Sequence, residues 1–125
     1  MSRRDRAVVA SPAVTTNPPA SLAPIAARVE ARLDALLTSE IERWGALDAE
    51  LLDPMSEIKR LVLAGGKRLR PAFCHWGFVG VGGDPEAPII VDAGAAFELM
   101  HAFALFHDDV MDDAASRRGA PTTHV

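Results

Sequence analysis

Residues 25–51 read IAARVEARLDALLTSEIERWGALDAEL, and their periodicity decides the fold class. Ile25, Val29, Leu33, Leu36, Leu37, Ile41, Trp44, Leu47 and Leu51 recur three and four positions apart. That spacing lines one face of a long α-helix. Gly45 interrupts the run at some cost in helix propensity, and a bend is expected there.

Upstream, residues 1–24 are rich in Ala, Ser, Thr and Pro, with Pro12, Pro18, Pro19 and Pro24. They carry neither helical nor alternating period and read as a disordered tail. Arg3, Arg4 and Arg6 give the tail a basic start. No continuous apolar core with a small-residue cleavage site follows, so a signal peptide is not expected. Downstream, Asp53-Pro54 reads as a helix start, with Asp as N-cap and Pro where no donor is needed. Met55, Ile58, Leu61 and Val62 form the apolar stripe of this second helix, and Gly65-Gly66 stops it. Pro71 opens a third helix to about Val79, and residues 80–88 form a turn-rich loop. A fourth helix runs from about Ile89 to about Asp112, followed by a polar loop. Strand signals and repeats are absent, and the expectation is an all-α domain over residues 25–125.

The balance of 13 basic and 17 acidic side chains gives a net charge of −4. No global field favours nucleic acid or an anionic membrane as partner, so any anion site must be built from a few placed cations. Cys74 is the sole cysteine, which excludes an intramolecular disulfide and is consistent with a cytoplasmic protein. The longest mainly apolar run, Ala93 to His107, contains Glu98 and His101, and no transmembrane segment is expected from it.

Asp108-Asp109-Val110-Met111-Asp112 places Asp108 and Asp112 four residues apart on one helix face, with Asp109 beside them. Like charges at that spacing repel, and the helix dipole disfavours anions near a C-terminus. A cation between the carboxylates relieves both penalties. Hard oxygen ligands with open geometry suit Mg²⁺, which takes one or two carboxylates and completes its shell with water and phosphate. The alternative on the cluster alone is a solvated acidic helix end. Back along the same face, Ala104 lies one turn and His101 two turns from Asp108. Imidazole, small apolar residue and carboxylates in that order suit a molecule with a charged head and an apolar tail.

Gly65-Gly66-Lys67-Arg68-Leu69-Arg70-Pro71 packs three cations around two glycines before a helix start, a favourable setting for phosphate. The spacing of a Walker A loop is missing. Ser116-Arg117-Arg118-Gly119 adds further cations. Lys67, Arg70, Arg117 and Arg118 together could serve two diphosphate groups beside a metal site.

Three segments taken in order resemble the trans-isoprenyl diphosphate synthases. They are Gly66-Lys67-Arg68-Leu69-Arg70-Pro71, Glu98-Leu99-Met100-His101, and His107-Asp108-Asp109-Val110-Met111-Asp112 with Arg117-Arg118-Gly119-Ala120-Pro121-Thr122. The resemblance covers residues 25–125 and implies the first helices of the large helical bundle of isoprenoid synthases. It implies Mg²⁺ on Asp108 and Asp112, with Asp109 in support, bridging an allylic diphosphate. Lys67, Arg70 and His101 would grip isopentenyl diphosphate, Arg117 the allylic diphosphate and Arg118 the isopentenyl one. The reaction implied is Mg²⁺-dependent prenyl transfer to a longer trans-allylic diphosphate, by a homodimer in the full-length family. Asp108, Asp112 and Arg117 would act through metal and diphosphate stabilisation. Phe103 and Ala104, fifth and fourth before Asp108, resemble those of short-chain, geranylgeranyl-type enzymes.

Family members are longer and carry a second aspartate-rich motif, whereas no Asp or Glu follows Asp113 here. The expectation is therefore an N-terminal portion that is inactive and poorly folded alone. Two other readings share the motifs: a fragment of a class I terpene cyclase, against which the paired basic segments argue, and a non-catalytic truncated subunit that modulates a full-length synthase.

Overall fold

The computed structural model describes residues 22–117 and 119–122. Four helices carry the fold: α1 (Leu22–Leu47), α2 (Leu52–Val62), α3 (Leu69–Gly80) and α4 (Pro88–Met111). The all-α expectation holds, with one small addition. A hairpin of β1 (Ser116–Arg117) and β2 (Ala120–Pro121) pairs Ser116 with Pro121 and Arg117 with Ala120. Strands of two residues are too short to leave an alternating signature in sequence.

Helix α1 begins at Leu22, three residues before the expected boundary. Pro24 is tolerated because the first turn of a helix needs no backbone donors. The rest of the expected tail, residues 1–21, lies outside the described residues. The helix passes through Gly45 and ends at Leu47. Asp48, in extended conformation, then accepts a hydrogen bond from the Glu50 amide at 2.9 Å and caps a 3-10 turn, Ala49–Leu51. That turn leads directly into α2, whose N-cap position is Leu51 without a side-chain cap, so the capping role expected of Asp53 is not used. Asp53 and Pro54 sit inside the first turn of α2, where the acidic charge still favours the helix dipole.

The core forms where α1, α2 and α4 meet. Val29, Leu33 and Leu37 of α1 pack with Val62 of α2 and Ala95 of α4. Full burial of a side chain the size of Leu33 contributes roughly 1.5–3 kcal/mol. Only the N-terminal half of the α1 stripe is used this way, since Trp44 and Leu47 are exposed. Helix α4 approaches α1 and α3 at Gly94, where a Cβ would stand 3.0 Å from Val29 Cγ2 and 3.1 Å from Pro71 Cβ. Surface ion pairs such as Arg32–Asp92 at 2.6 Å and Lys59–Asp34 at 2.8 Å span neighbouring helices and add little stability each.

By length and composition α4 could cross a membrane. Here it packs against α1, α2 and α3 and carries the buried Glu98, so its apolar character is divided between a core stripe and an open stripe. The open stripe includes Phe97, Met100 and Phe103.

Candidate functional site

The site begins at the break between α2 and α3. Helix α2 ends at Val62 with Leu63 as its C-cap, and Gly65 and Gly66, with φ values of +100° and +152°, then turn the chain back across the bundle. Arg68 follows in left-handed backbone (φ +51°, ψ +37°) and occupies the N-cap of α3. A cleft of about 520 Å³ lies between this loop, the second half of α4 and the hairpin. Lys67, Arg70, His101, Asp109 and Arg117 reach it, over apolar walls from Leu61, Ala102, Leu105 and Phe106. The structure thus brings together the basic loop, the histidine and part of the aspartate segment, which lie far apart in sequence.

Charge is distributed unevenly in the cleft. Lys67 and Arg70 are exposed and have no ion-pair partner among the described residues. The two carboxylates that line the cleft are both neutralised, Glu98 by Arg68 at 2.7 Å and Asp109 by Arg117 at 2.6 Å. The surplus is cationic and sits beside the N-terminus of α3, which itself favours anions.

The aspartates divide into two environments. Asp109 is buried, 3% exposed, and accepts from Arg117 Nε at 2.8 and 3.0 Å through its two oxygens. Asp108 and Asp112 are exposed at the end of α4, and the Asp112 amide donates to the Asp108 carbonyl at 2.8 Å, closing the turn between them. Arg117 is held above its usual pKa, first by the hydrogen bond to Asp109 and further by the charges of Asp109, Asp108 and Asp112, against some desolvation. Among the described residues no three His, Cys, Asp or Glu side chains converge as a metal-binding group. An open pair of carboxylates at a helix end still fits Mg²⁺, whose shell needs only one or two protein oxygens when phosphate and water supply the rest. Asp109 differs from that pair because its oxygens already serve Arg117. Arg118 lies outside the described residues.

A sequence profile of the family described as Polyprenyl synthetase matches residues 52–125, more than half the chain. The chain belongs to the polyprenyl synthetase family. It is 48% identical over 67 residues to a short chain isoprenyl diphosphate synthase of Methanothermobacter thermautotrophicus, covering 54% of this chain and 20% of that protein. It is 42% identical over 102 residues to a probable farnesyl diphosphate synthase of Sinorhizobium fredii, covering 80% of this chain and 28% of that protein. A nonaprenyl diphosphate synthase of Mycobacterium tuberculosis is 38% identical over 95 residues, 76% of this chain and 26% of that protein. The chain therefore spans only about a quarter of the length of these curated relatives.

The polyprenyl synthetase motifs contain one residue whose place the sequence did not reveal. Arg68 looks like a third phosphate-binding cation beside Lys67 and Arg70, yet its side chain is only 4% exposed. It donates to Glu98 Oε2 at 2.7 Å, to the Val62 carbonyl at 3.1 Å and to Glu30 Oε1 at 3.2 Å. Three helices thus converge on one guanidinium. Glu98, the one carboxylate in the apolar run from Ala93 to His107, was the signal that a buried cation had to meet it.

Proposed function

We propose that this chain supplies the diphosphate-binding loop and first aspartate motif of a magnesium-dependent trans-prenyltransferase. The reaction would transfer an allylic prenyl group onto isopentenyl diphosphate. The observation that carries this reading is the pairing pattern in the cleft. Glu98 and Asp109 are already neutralised, while Lys67 and Arg70 remain available beside His101. Such a surplus suits a small polyanion better than a neutral ligand.

In this reading Lys67, Arg70 and His101 hold the diphosphate of the isopentenyl substrate. Asp108 and Asp112 present carboxylates to magnesium at the allylic diphosphate. Bound magnesium would supply neutralisation of the charge that develops on the departing diphosphate. Arg117, fixed by Asp109, presents its guanidinium at the same end of α4. The allylic carbon–oxygen bond breaks, the isopentenyl double bond closes on the allylic carbon, and loss of a proton gives the longer trans-allylic diphosphate with pyrophosphate released. An apolar groove of about 680 Å³ lined by Phe73, Phe97, Met100 and Ala104 runs on from Arg70 and His101. We assign it to the growing hydrocarbon tail, with the small Ala104 leaving room for a product of geranylgeranyl type.

Calorimetric titration of the chain tests the reading with two ligands. Isopentenyl diphosphate is expected to bind without metal and to lose affinity in Lys67→Ala and Arg70→Ala. Dimethylallyl, geranyl or farnesyl diphosphate is expected to need Mg²⁺ and to lose binding in Asp108→Ala, which keeps the isopentenyl site. Isopentenyl binding indifferent to Lys67 and Arg70, or allylic binding indifferent to Mg²⁺ and Asp108, would overturn the assignment.

A further inference from the structure

Of the three cations in Lys67-Arg68-Leu69-Arg70, the middle one points into the protein. The left-handed backbone at Arg68 is uncommon for a residue with a Cβ and carries a conformational cost. It turns the Arg68 side chain inward, while Lys67 and Arg70 stay exposed and line the cleft. Three contacts offset that cost: the Glu98 carboxylate on α4, the Val62 carbonyl ending α2, and Glu30 on α1. Glu98 lies one helical turn before His101, so the same ion pair references the loop cations to the histidine.

We infer that Arg68 is a positioning residue, which locks the loop to α4 through Glu98 so that Lys67, Arg70 and His101 present a preformed anion site. The inference rests on the diphosphate reading of the cleft. A preformed site spends no binding energy on ordering its own loop, so loosening the lock weakens anion binding without removing any group that touches the anion.

The test measures two things on the full chain: affinity for inorganic pyrophosphate per folded molecule, and amide hydrogen exchange across residues 64–70. The folded fraction is taken from far-ultraviolet circular dichroism. Arg68→Met and Glu98→Gln are each expected to weaken pyrophosphate by about tenfold, because binding must then order the freed loop. Exchange in the loop should rise in both, while residues 29–37 of α1 keep theirs. Arg68→Lys, which retains the charge next to Glu98, should recover part of the affinity. Wild-type affinity per folded molecule in Arg68→Met and Glu98→Gln would overturn the inference and leave the anion site standing. Lost affinity with unchanged loop exchange would also overturn it, because Arg68 would then be a direct ligand. Absence of pyrophosphate binding by the unaltered chain, or binding that survives Lys67→Ala, would instead remove the diphosphate reading itself.

Discussion

Asp109 and Arg117 stand eight residues apart and meet as a two-pronged ion pair, Nε reaching both carboxylate oxygens at 2.8 and 3.0 Å and Nη2 reaching Oδ1 at 2.6 Å. The pair folds the hairpin back over the end of α4. It is assisted by the Ala114 amide donating to the Asp109 carbonyl at 2.9 Å and by Thr122 Oγ1 donating to the Ala114 carbonyl at 2.5 Å. Two neighbouring aspartates in one motif thereby acquire different work. Asp109 anchors the following segment, and Asp108 faces outward.

Removing the guanidinium strands a buried carboxylate. Arg117→Met is expected to destabilise the chain by roughly 1–2 kcal/mol, less than a fully buried pair because the Arg117 side chain is 39% exposed. Urea unfolding of Arg117→Met, Asp109→Asn and the double variant measures it. The double variant should be less destabilised than the sum of the singles, since the penalty comes from leaving one partner alone. Additive losses would show that the two residues act separately.

Packing makes a second prediction at Gly94. Alanine there gains about 1 kcal/mol of helix propensity over glycine. Its Cβ would also press on Val29 and on the fully buried Pro71, whose ring has no alternative rotamer to yield into. Overpacking of that kind costs about 1–3 kcal/mol, so Gly94→Ala should be destabilised by about 1 kcal/mol and Gly94→Val by more. Thermal unfolding that shows Gly94→Ala more stable than the parent would mean that α4 can slide away from α1.

The stripe from Ile25 to Leu37, the Gly65-Gly66 stop and the extent of α4 were legible because periodicity and backbone punctuation are local properties. The meeting of Lys67, Arg70 and Arg117 in one cleft was suggested by their shared chemistry and joined to His101 through family resemblance, since spacing alone does not dock α3 against α4. What stayed hidden depends on distant partners. Lys67, Arg68 and Arg70 are chemically alike in sequence. Which of them turns inward is decided by a left-handed backbone angle at residue 68 and a carboxylate 30 positions away. In the same way Asp53 does not cap α2, because the 3-10 turn capped by Asp48 runs straight into that helix and places residue 53 inside its first turn.

Acidification should expose a weak contribution from α2. The Glu57 carboxyl is held below its ordinary 4.5, chiefly by the hydrogen bond from Arg60, against desolvation and with a lesser contribution from the Arg60 charge. A carboxylate with a depressed folded pKa stabilises fully above its unfolded value, and that stability is lost as pH falls through the folded one. Glu57→Gln should therefore trail the parent in urea midpoint well above pH 4.5, and the gap should close well below it. A gap that persists in acid would assign the difference to packing rather than to charge.

The two outward aspartates should oppose stability and ligand binding. Asp108 and Asp112 repel across one turn and sit at the negative end of the α4 dipole, with no basic residue in its last turn. Without metal, Asp108→Asn and Asp112→Asn are each expected to raise stability by roughly a few tenths of a kcal/mol. Mg²⁺ with pyrophosphate should reverse the order. The parent gains stability by binding in the folded state, and the variants gain less because one carboxylate ligand is gone. Parallel thermal melts with and without Mg²⁺ and pyrophosphate measure both halves. Equal shifts in parent and variants would place the metal away from these carboxylates. Destabilisation of the metal-free variants would mean that the pair already serves the fold, as Asp109 does.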